Sequence, residues 1–379
     1  MRLVFSTSDF KIHGLSYEKF PILLDSEMNI IEEVLLFLVQ HCIKRGRIQS
    51  IKSWEAYGQS MYDYFSFLEA NSFDWRMDNN LSHYSLLAAY RDWSLSEMKL
   101  SSNTVNYRLR LIIKFYQFAL GMNWIDSLPY NLEEVRSHCS KRFLAHIDAS
   151  GSSKRVPDVL LKTKPTRIKL LSKQQVREFL TAIKNLTQKL MARLALSSGL
   201  RKEELATFPV TYIFNPQNVG IYKSIIRVTL NPSDMKTKGG KPRSIDIPRA
   251  LMTALWDYVI HERYQLEKIS GEKQNTLFLN KNGTPWGKAG KSLNNLWKNL
   301  GLSFKVTPHM LRHTYATHTL YEMRQRKAQI DPLLYIRDRL GHSSVLTTEK
   351  YLHYLAEVEE HLITSYQEEI DSFCGMDNL

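Results

Sequence analysis

Between residues 309 and 351 the chain places His309-Met-Leu-Arg312-His313, then Leu340-Gly341-His342, then Tyr351. Together these supply the parts that an attack on a phosphodiester needs. An arginine can hold the phosphate, histidines can hydrogen-bond it or move protons, and a tyrosine can be the nucleophile. His309 and Arg312, three residues apart, share one face of a helix. A lone histidine is more often structural, so His313 takes a packing or supporting role. A free tyrosine has a pKa of about 10 and is a weak nucleophile at neutral pH. Tyr351 therefore needs cations and a base beside it. Tyr354, one helical turn further on, competes for the role in a chain with 19 tyrosines.

Two upstream stretches offer what this set lacks. Ser198-Gly-Leu-Arg201-Lys-Glu-Glu204 puts an arginine after a glycine turn, with a carboxylate three residues later on the same helical face. Glu204 can hold the guanidinium in place, although alone the pair also reads as a surface ion pair. Lys236-Thr-Lys238-Gly-Gly-Lys241-Pro-Arg243 gathers cations at the tip of an expected hairpin. A lysine there can protonate a leaving 5′ oxygen, or be no more than a solvated basic turn.

The elements that must position these residues follow from periodicity and punctuation. At 379 residues, two domains are expected. Residues 1–27 show little periodicity and read as an extended arm. Residues 28–130 read as a helical domain: apolar stripes run through Ile30–Leu38, Trp54–Leu68, Leu86–Trp93 and Val105–Phe118, the last after a Ser101 N-cap region. Residues 131–167 read as a basic linker containing Ser150-Gly-Ser-Ser-Lys154-Arg155, Pro157 and Pro165. A second domain, 168–379, opens with a helix at Ser172. It continues through short strands at 225–230 and 244–247 joined across Gly239-Gly240, and returns to helix from 249. Its last segment, 355–379, has Leu355, Val358, Leu362 and Ile363 at helical spacing and reads as a docking helix.

Charge is distributed unevenly. Residues 1–130 carry 13 Lys and Arg against 14 Asp and Glu; residues 131–354 carry 38 against 17; residues 355–379 carry none against 7. The basic block points to a polyanion partner, nucleic acid first. Candidate DNA contacts are Arg108, Arg110 and Lys114 in the first domain, Lys154 and Arg155 in the linker, and Lys236, Lys241 and Arg243 around the hairpin. Cys42, Cys139 and Cys374 have no metal-ligand spacing, so no metal or cofactor is expected and a reducing cytoplasm is the simplest setting. No apolar run is long enough for a membrane span, and the N-terminus lacks the shape of a signal peptide.

The ordered set Arg201, Lys238, His309-x-x-Arg312, His342 and Tyr351 resembles the tyrosine recombinases, the phage-integrase and Xer-like group. The strings Gly199-Leu-Arg-Lys-Glu-Glu-Leu205, Thr307-Pro-His-Met-Leu-Arg-His-Thr-Tyr-Ala-Thr-His318 and Leu340-Gly-His-Ser-Ser-Val-Leu-Thr-Thr-Glu-Lys-Tyr351 carry it. The likeness is strong over 168–354 and weaker over 28–125. It implies a mainly α fold with a small antiparallel β-sheet: a SAM-like helical core-binding domain followed by a DNA breaking-rejoining catalytic domain. In that scheme Arg201 and Arg312 hold the scissile phosphate, His309 and His342 assist, Glu204 braces the site, and Lys238 (or Lys236) is the general acid. Tyr351 attacks to give a 3′-phosphotyrosyl link, with no ATP or metal. The resemblance further implies double-stranded DNA sites as substrate, a tetramer on DNA, optional DNA-bending accessory proteins, a nucleoid location, and tail docking onto a neighbouring subunit. The segment 321–335 is longer than in compact members. The activity expected is site-specific recombination; the rivals are type IB topoisomerase-like relaxation and a non-catalytic DNA-binding accessory of the same fold.

Overall fold

Ser101 begins the helix that organises the first half of the chain. Its hydroxyl accepts the Thr104 backbone N–H, and the helix that follows buries Val105, Leu109, Ile112, Phe115 and Tyr116 at helical spacing. The structure, a computed structural model, describes residues 1–46, 50–77, 85–136, 153–162, 168–218, 223–287, 292–326, 329–342, 344–352 and 355. The chain divides into two units, Met1–Pro165 and Thr166–Leu379.

The first unit contains β1 (Arg2–Phe5), β2 (Lys11–Ile12), β3 (Leu15–Ser16), β4 (Pro21–Leu24), α1 (Glu32–Leu38), α2 (Ile51–Ala70), α3 (Leu86–Ser96), α4 (Ser102–Gly121), β5 (Leu132–Arg136) and β6 (Ser153–Pro157). The four expected apolar stripes coincide with α1 to α4. Their core is rich in aromatic side chains, with Phe37, Tyr64, Phe65, Tyr90 and Phe115 buried together. The buried Tyr64 and Tyr116 hydroxyls satisfy each other at 2.6 Å.

Residues 1–27 are not an extended arm. β1 pairs antiparallel with β4, Arg2 opposite Leu24 and Phe5 opposite Pro21, and Phe20 and Leu23 are buried in the helical core. Strands of two to four residues separated by tight turns are too short to leave an alternating signature. The stretch 131–167 likewise contains paired strands, β5 against β6, with Leu132 opposite Pro157. Val159 is buried in the first core, and Asn106 exchanges two hydrogen bonds with the Leu161 backbone. Part of the expected linker therefore packs on the first unit.

The second unit contains α5 (Lys173–Ala182), α6 (Leu186–Ser198), α7 (Lys202–Ala206), β7 (Ile225–Leu230), β8 (Arg243–Pro248), α8 (Arg249–Tyr258), α9 (Tyr264–Ser270), α10 (Pro308–Gln325), α11 (Pro332–Leu340) and α12 (Val345–Glu349). Ser172 and Gln175 form a reciprocal capping box at the start of α5. The expected hairpin is β7–β8, Ile225 opposite Pro248 and Leu230 opposite Arg243, with Ile226, Val228 and Leu230 turned inward. A helical turn at Lys238–Gly240 forms its tip. Thr307 caps α10 ahead of Pro308, and Asp331 caps α11 ahead of Pro332. Of the segment 321–335, residues 321–325 end α10 and residues 332–335 begin α11. A smaller core gathers Tyr315, Leu320, Ile336, Leu340, Tyr351 and Leu355. The rest of the expected docking helix, 356–379, lies outside the described residues, as does Tyr354.

Candidate active site

Two helices end on left-handed glycines, and those ends build the floor of the site. Gly199 terminates α6 at φ +63° and Gly341 terminates α11 at φ +62°. Neither position has room for a side chain. A Cβ on Gly199 would lie 2.5 Å from the Tyr315 ring, and one on Gly341 would lie 2.8 Å from Arg243 Cδ. The two turns leave the Gly199 and Leu340 carbonyls free to accept hydrogen bonds from Arg312. The guanidinium of Arg312, on α10, donates to Gly199 O at 2.6 Å and to Leu340 O at 2.8 Å. Arg312 is 3% exposed, and its hydrogen-bond partners are two carbonyls and a histidine rather than a carboxylate. Burial, then the neighbouring Arg201 and Arg243 charges, push its pKa down to about 9.

Glu204 is the buried anion of the site. Arg201, at the N-cap of α7, donates its backbone N–H to Glu204 Oε2 at 2.8 Å and its Nη1 to Oε1 at 3.0 Å. Its Nη2 reaches the Gly341 carbonyl at 3.4 Å. The expected i,i+3 clasp is therefore present, and it is not a surface pair. Glu204 receives a further donor, Arg243 Nη2 at 2.6 Å. Arg243 was expected to touch DNA. Instead its side chain is 6% exposed and is committed to Glu204 and to Leu340 O at 3.1 Å.

Tyr351 lies behind this cation cluster with its side chain wholly buried. Its hydroxyl is hydrogen-bonded to His313 Nδ1 at 2.9 Å, so the histidine expected only to pack contacts the phenol directly. The His309 ring stands 4.2 Å from the His313 ring, and the His342 ring lies parallel to Tyr351 at 6.4 Å. Arg312 can only donate, so its 3.2 Å contact makes His342 Nε2 an acceptor and leaves Nδ1–H to donate to Thr348 Oγ1 at 2.9 Å. Burial, reinforced by nearby charges, pushes His342 and His313 down to about 3 and lowers His309. Burial raises Tyr351 to about 12 against the opposing pull of Arg312 and Arg201. The phenol and its neighbouring imidazoles are therefore neutral at pH 7.

In front of the cluster opens a cleft of about 720 Å³ whose walls include Arg201, Lys238, Lys241, Arg243 and His342. Lys238 sits exposed at the hairpin tip on this cleft, whereas Lys236 is exposed but does not line it. In the first unit, Arg108 is ion-paired with Asp63 and so is not a free phosphate contact, while Arg110 and Lys114 are exposed on α4. Arg155 is exposed on β6 beside Glu134, and Lys154 lies on the same strand. Among the described residues no group of three or more His, Cys, Asp or Glu is arranged to hold a metal ion. Nor is any helix among them long and apolar enough to cross a membrane.

Sequence reasoning missed Thr348, which accepts the His342 Nδ1–H, and the two carbonyls that hold Arg312. A carbonyl carries no residue signature; only the glycines at 199 and 341 hint at it.

Residues 169–357 match the phage integrase family. Over 315 residues the chain is 26% identical to tyrosine recombinase XerD of Halalkalibacterium halodurans, covering 83% of this chain and 90% of that protein. Over 366 residues it is 25% identical to transposase A from transposon Tn554 of Staphylococcus aureus, covering 90% and 94%. The fold is similar to that of XerH site-specific recombinase bound to a palindromic difH substrate in a post-cleavage complex, with a TM-score of 0.54, 16% identity, and coverage of 87% of this chain and 84% of that one. It is also similar to the Tn1549 transposon integrase in complex with a circular intermediate DNA, with a TM-score of 0.53, 18% identity, and coverage of 84% and 94%.

Proposed function

This chain belongs to the phage integrase family of tyrosine recombinases, and from that premise we propose that Tyr351 cuts and rejoins DNA within a cation cluster built for a phosphodiester. One observation carries the reading. Arg201 and Arg243 share a single carboxylate, Glu204, and Arg312 is held by backbone carbonyls without a carboxylate of its own, leaving two positive charges in excess beside a buried tyrosine. A pentacovalent phosphoryl transition state carries about two negative charges, which is the complement of that excess.

In this mechanism Arg201 and Arg312 bind the non-bridging oxygens of the scissile phosphate. The Tyr351 oxygen forms a bond to phosphorus as the bond to the 5′ oxygen breaks. The phenolic proton passes to a histidine of the cluster, and Lys238 protonates the departing 5′ oxygen. The products are a 3′-phosphotyrosyl link and a free 5′-hydroxyl, and a 5′-hydroxyl from a partner duplex reverses the step. One ester replaces another, so the exchange needs no ATP, and the arginines supply the charge neutralisation for which other phosphoryl-transfer sites use Mg²⁺. Tyr351 must first leave its hydrogen bond to His313, because a wholly buried hydroxyl cannot reach a phosphate in the cleft. DNA engagement and assembly into a tetramer on two sites supply that rearrangement. The acidic segment 355–379 docks between subunits, and DNA-bending proteins assist at some sites. A mobile genetic element is the natural setting.

The test is a plasmid carrying two copies of a cognate site, incubated with the protein in EDTA without ATP. Joined products in defined register support recombination. Relaxation of supercoils on site-free plasmid, without joining, would favour the topoisomerase-like reading. Binding without cleavage or exchange would favour an accessory role.

A further inference from the structure

Arg243 stands at the start of β8, in a hairpin whose other cations face solvent, yet its guanidinium is turned inward and buried. Its two terminal nitrogens serve two different acceptors. Nη2 meets Glu204 Oε2 at 2.6 Å, the carboxylate that also grips Arg201; Nη1 meets Leu340 O at 3.1 Å, the carbonyl that also grips Arg312. The same side chain runs close under Gly341, the turn that leads into His342. Arg243 thus joins the mounts of three residues assigned to the phosphate.

We propose that Arg243 is a positioning residue: through Glu204 it fixes the guanidinium of Arg201, and through the Leu340 carbonyl it fixes the turn carrying Arg312's acceptor and His342, without itself contacting DNA. The inference rests on the recombinase reading above. Lysine cannot replace it, because one ammonium on a flexible stem lacks the planar fork that spans two fixed acceptors. Burial works against its charge and Glu204 supports it, as expected of a cation held by the protein rather than offered to solvent. Loss of the bridge leaves Glu204 held from one side only and lets the Gly341 turn move relative to α7. A displacement on the order of 1 Å at a reacting centre costs roughly 100-fold in rate.

The experiment compares wild type with Arg243→Lys and Arg243→Gln in single-turnover cleavage of a nicked suicide substrate at saturating protein. Binding of the same DNA is measured in a Tyr351→Phe background across a salt series. The expected result is a cleavage rate about 100-fold lower for Arg243→Gln and at least about tenfold lower for Arg243→Lys. Dissociation constants should stay within about threefold, and the salt slope should be unchanged. In a cycle with Glu204→Gln, the double variant should cleave no more than about threefold slower than the slower single variant, since both changes break one linkage. A salt slope reduced by about one, with binding weakened tenfold and the saturated rate unchanged, would make Arg243 a phosphate contact and overturn the proposal. Multiplicative rate losses in the cycle would overturn it too. If Arg243→Gln does not fold, Arg243→Lys keeps the charge and is decisive by the same criteria. Failure of wild type to form any covalent adduct would instead remove the recombinase reading.

Discussion

Replacing Gly341 by alanine should damage both stability and chemistry, and the structure contains its own control. Gly341 and Gly271 both close helices in the left-handed region, at φ +62° and +70°. An L-residue there costs about 1–2 kcal/mol. At Gly271 an added Cβ meets nothing within 4 Å, so Gly271→Ala carries the backbone cost alone. At Gly341 the Cβ would stand 2.8 Å from Arg243 Cδ, closer than carbon atoms tolerate, and the side chain that must yield is the one bridging Glu204 and Leu340. Fully breaking a buried ion pair costs about 3–5 kcal/mol. Partial displacement adds about 1–2 kcal/mol, for a total of about 2–4. At roughly 2–4 °C per kcal/mol for a domain of this size, Gly341→Ala should melt about 4–16 °C below wild type and Gly271→Ala only about 2–8 °C below, the two variants sharing one slope. Calorimetry of the full chain gives the melting temperatures, and single-turnover DNA cleavage gives the chemistry. Cleavage should fall only in Gly341→Ala. Equal melting losses with unchanged cleavage in both variants would refute the claim that the Gly341 turn and Arg243 are mechanically coupled.

Three further outcomes are expected. Glu204→Gln keeps the shape but leaves Arg201 and Arg243 without their shared anion. It should destabilise the second unit by about 3 kcal/mol, read as a lowered urea midpoint, and slow cleavage; a midpoint equal to wild type would contradict the buried clasp. His313 is held near 3 in the folded chain against about 6.5 unfolded. Above pH 6.5 both states are neutral there and the group is silent. Between pH 6.5 and 3 the unfolded chain binds a proton that the folded one refuses, so stability falls with acidification by up to about 1.4 kcal/mol per pH unit. Partly exposed His342 acts in the same direction but less strongly. Urea unfolding at pH 7.5 and 5.0 should show this loss, and His313→Asn should reduce it; an identical pH slope in the variant would contradict the buried neutral histidine. DNA affinity should fall steeply with salt, because cations such as Lys238, Lys241, Arg110 and Lys114 are exposed and free to displace counterions. A flat salt response would count against a phosphate-tracking surface.

The site was legible in the sequence where side-chain identity carries the chemistry. Arg201 with Glu204, Arg312, His342 and Tyr351 come together as the family resemblance implied, because glycine turns and N-caps fix the helix ends around them. What could not be read was direction and burial. Arg243 and the exposed Lys241 look alike in the hairpin sequence, yet strand register turns Arg243 inward toward Glu204. His313 looked like packing because nothing in one dimension shows that α10 aims its Nδ1 at the Tyr351 hydroxyl. In the fold, helices announced themselves through long apolar periodicity. The β1–β4 and β5–β6 pairings did not, since four or five residues per strand give too few alternations to stand out from a loop.

The central claim is that Tyr351 becomes covalently joined to DNA. The direct measurement is to trap the protein on a nicked suicide substrate, digest the adduct, and identify the nucleotide-bearing peptide by mass spectrometry. The account predicts a 3′-linked nucleotide on Tyr351, formed in EDTA and without ATP, and lost in Tyr351→Phe but not in Tyr354→Phe. An adduct on any other residue, or one that survives Tyr351→Phe, would contradict it.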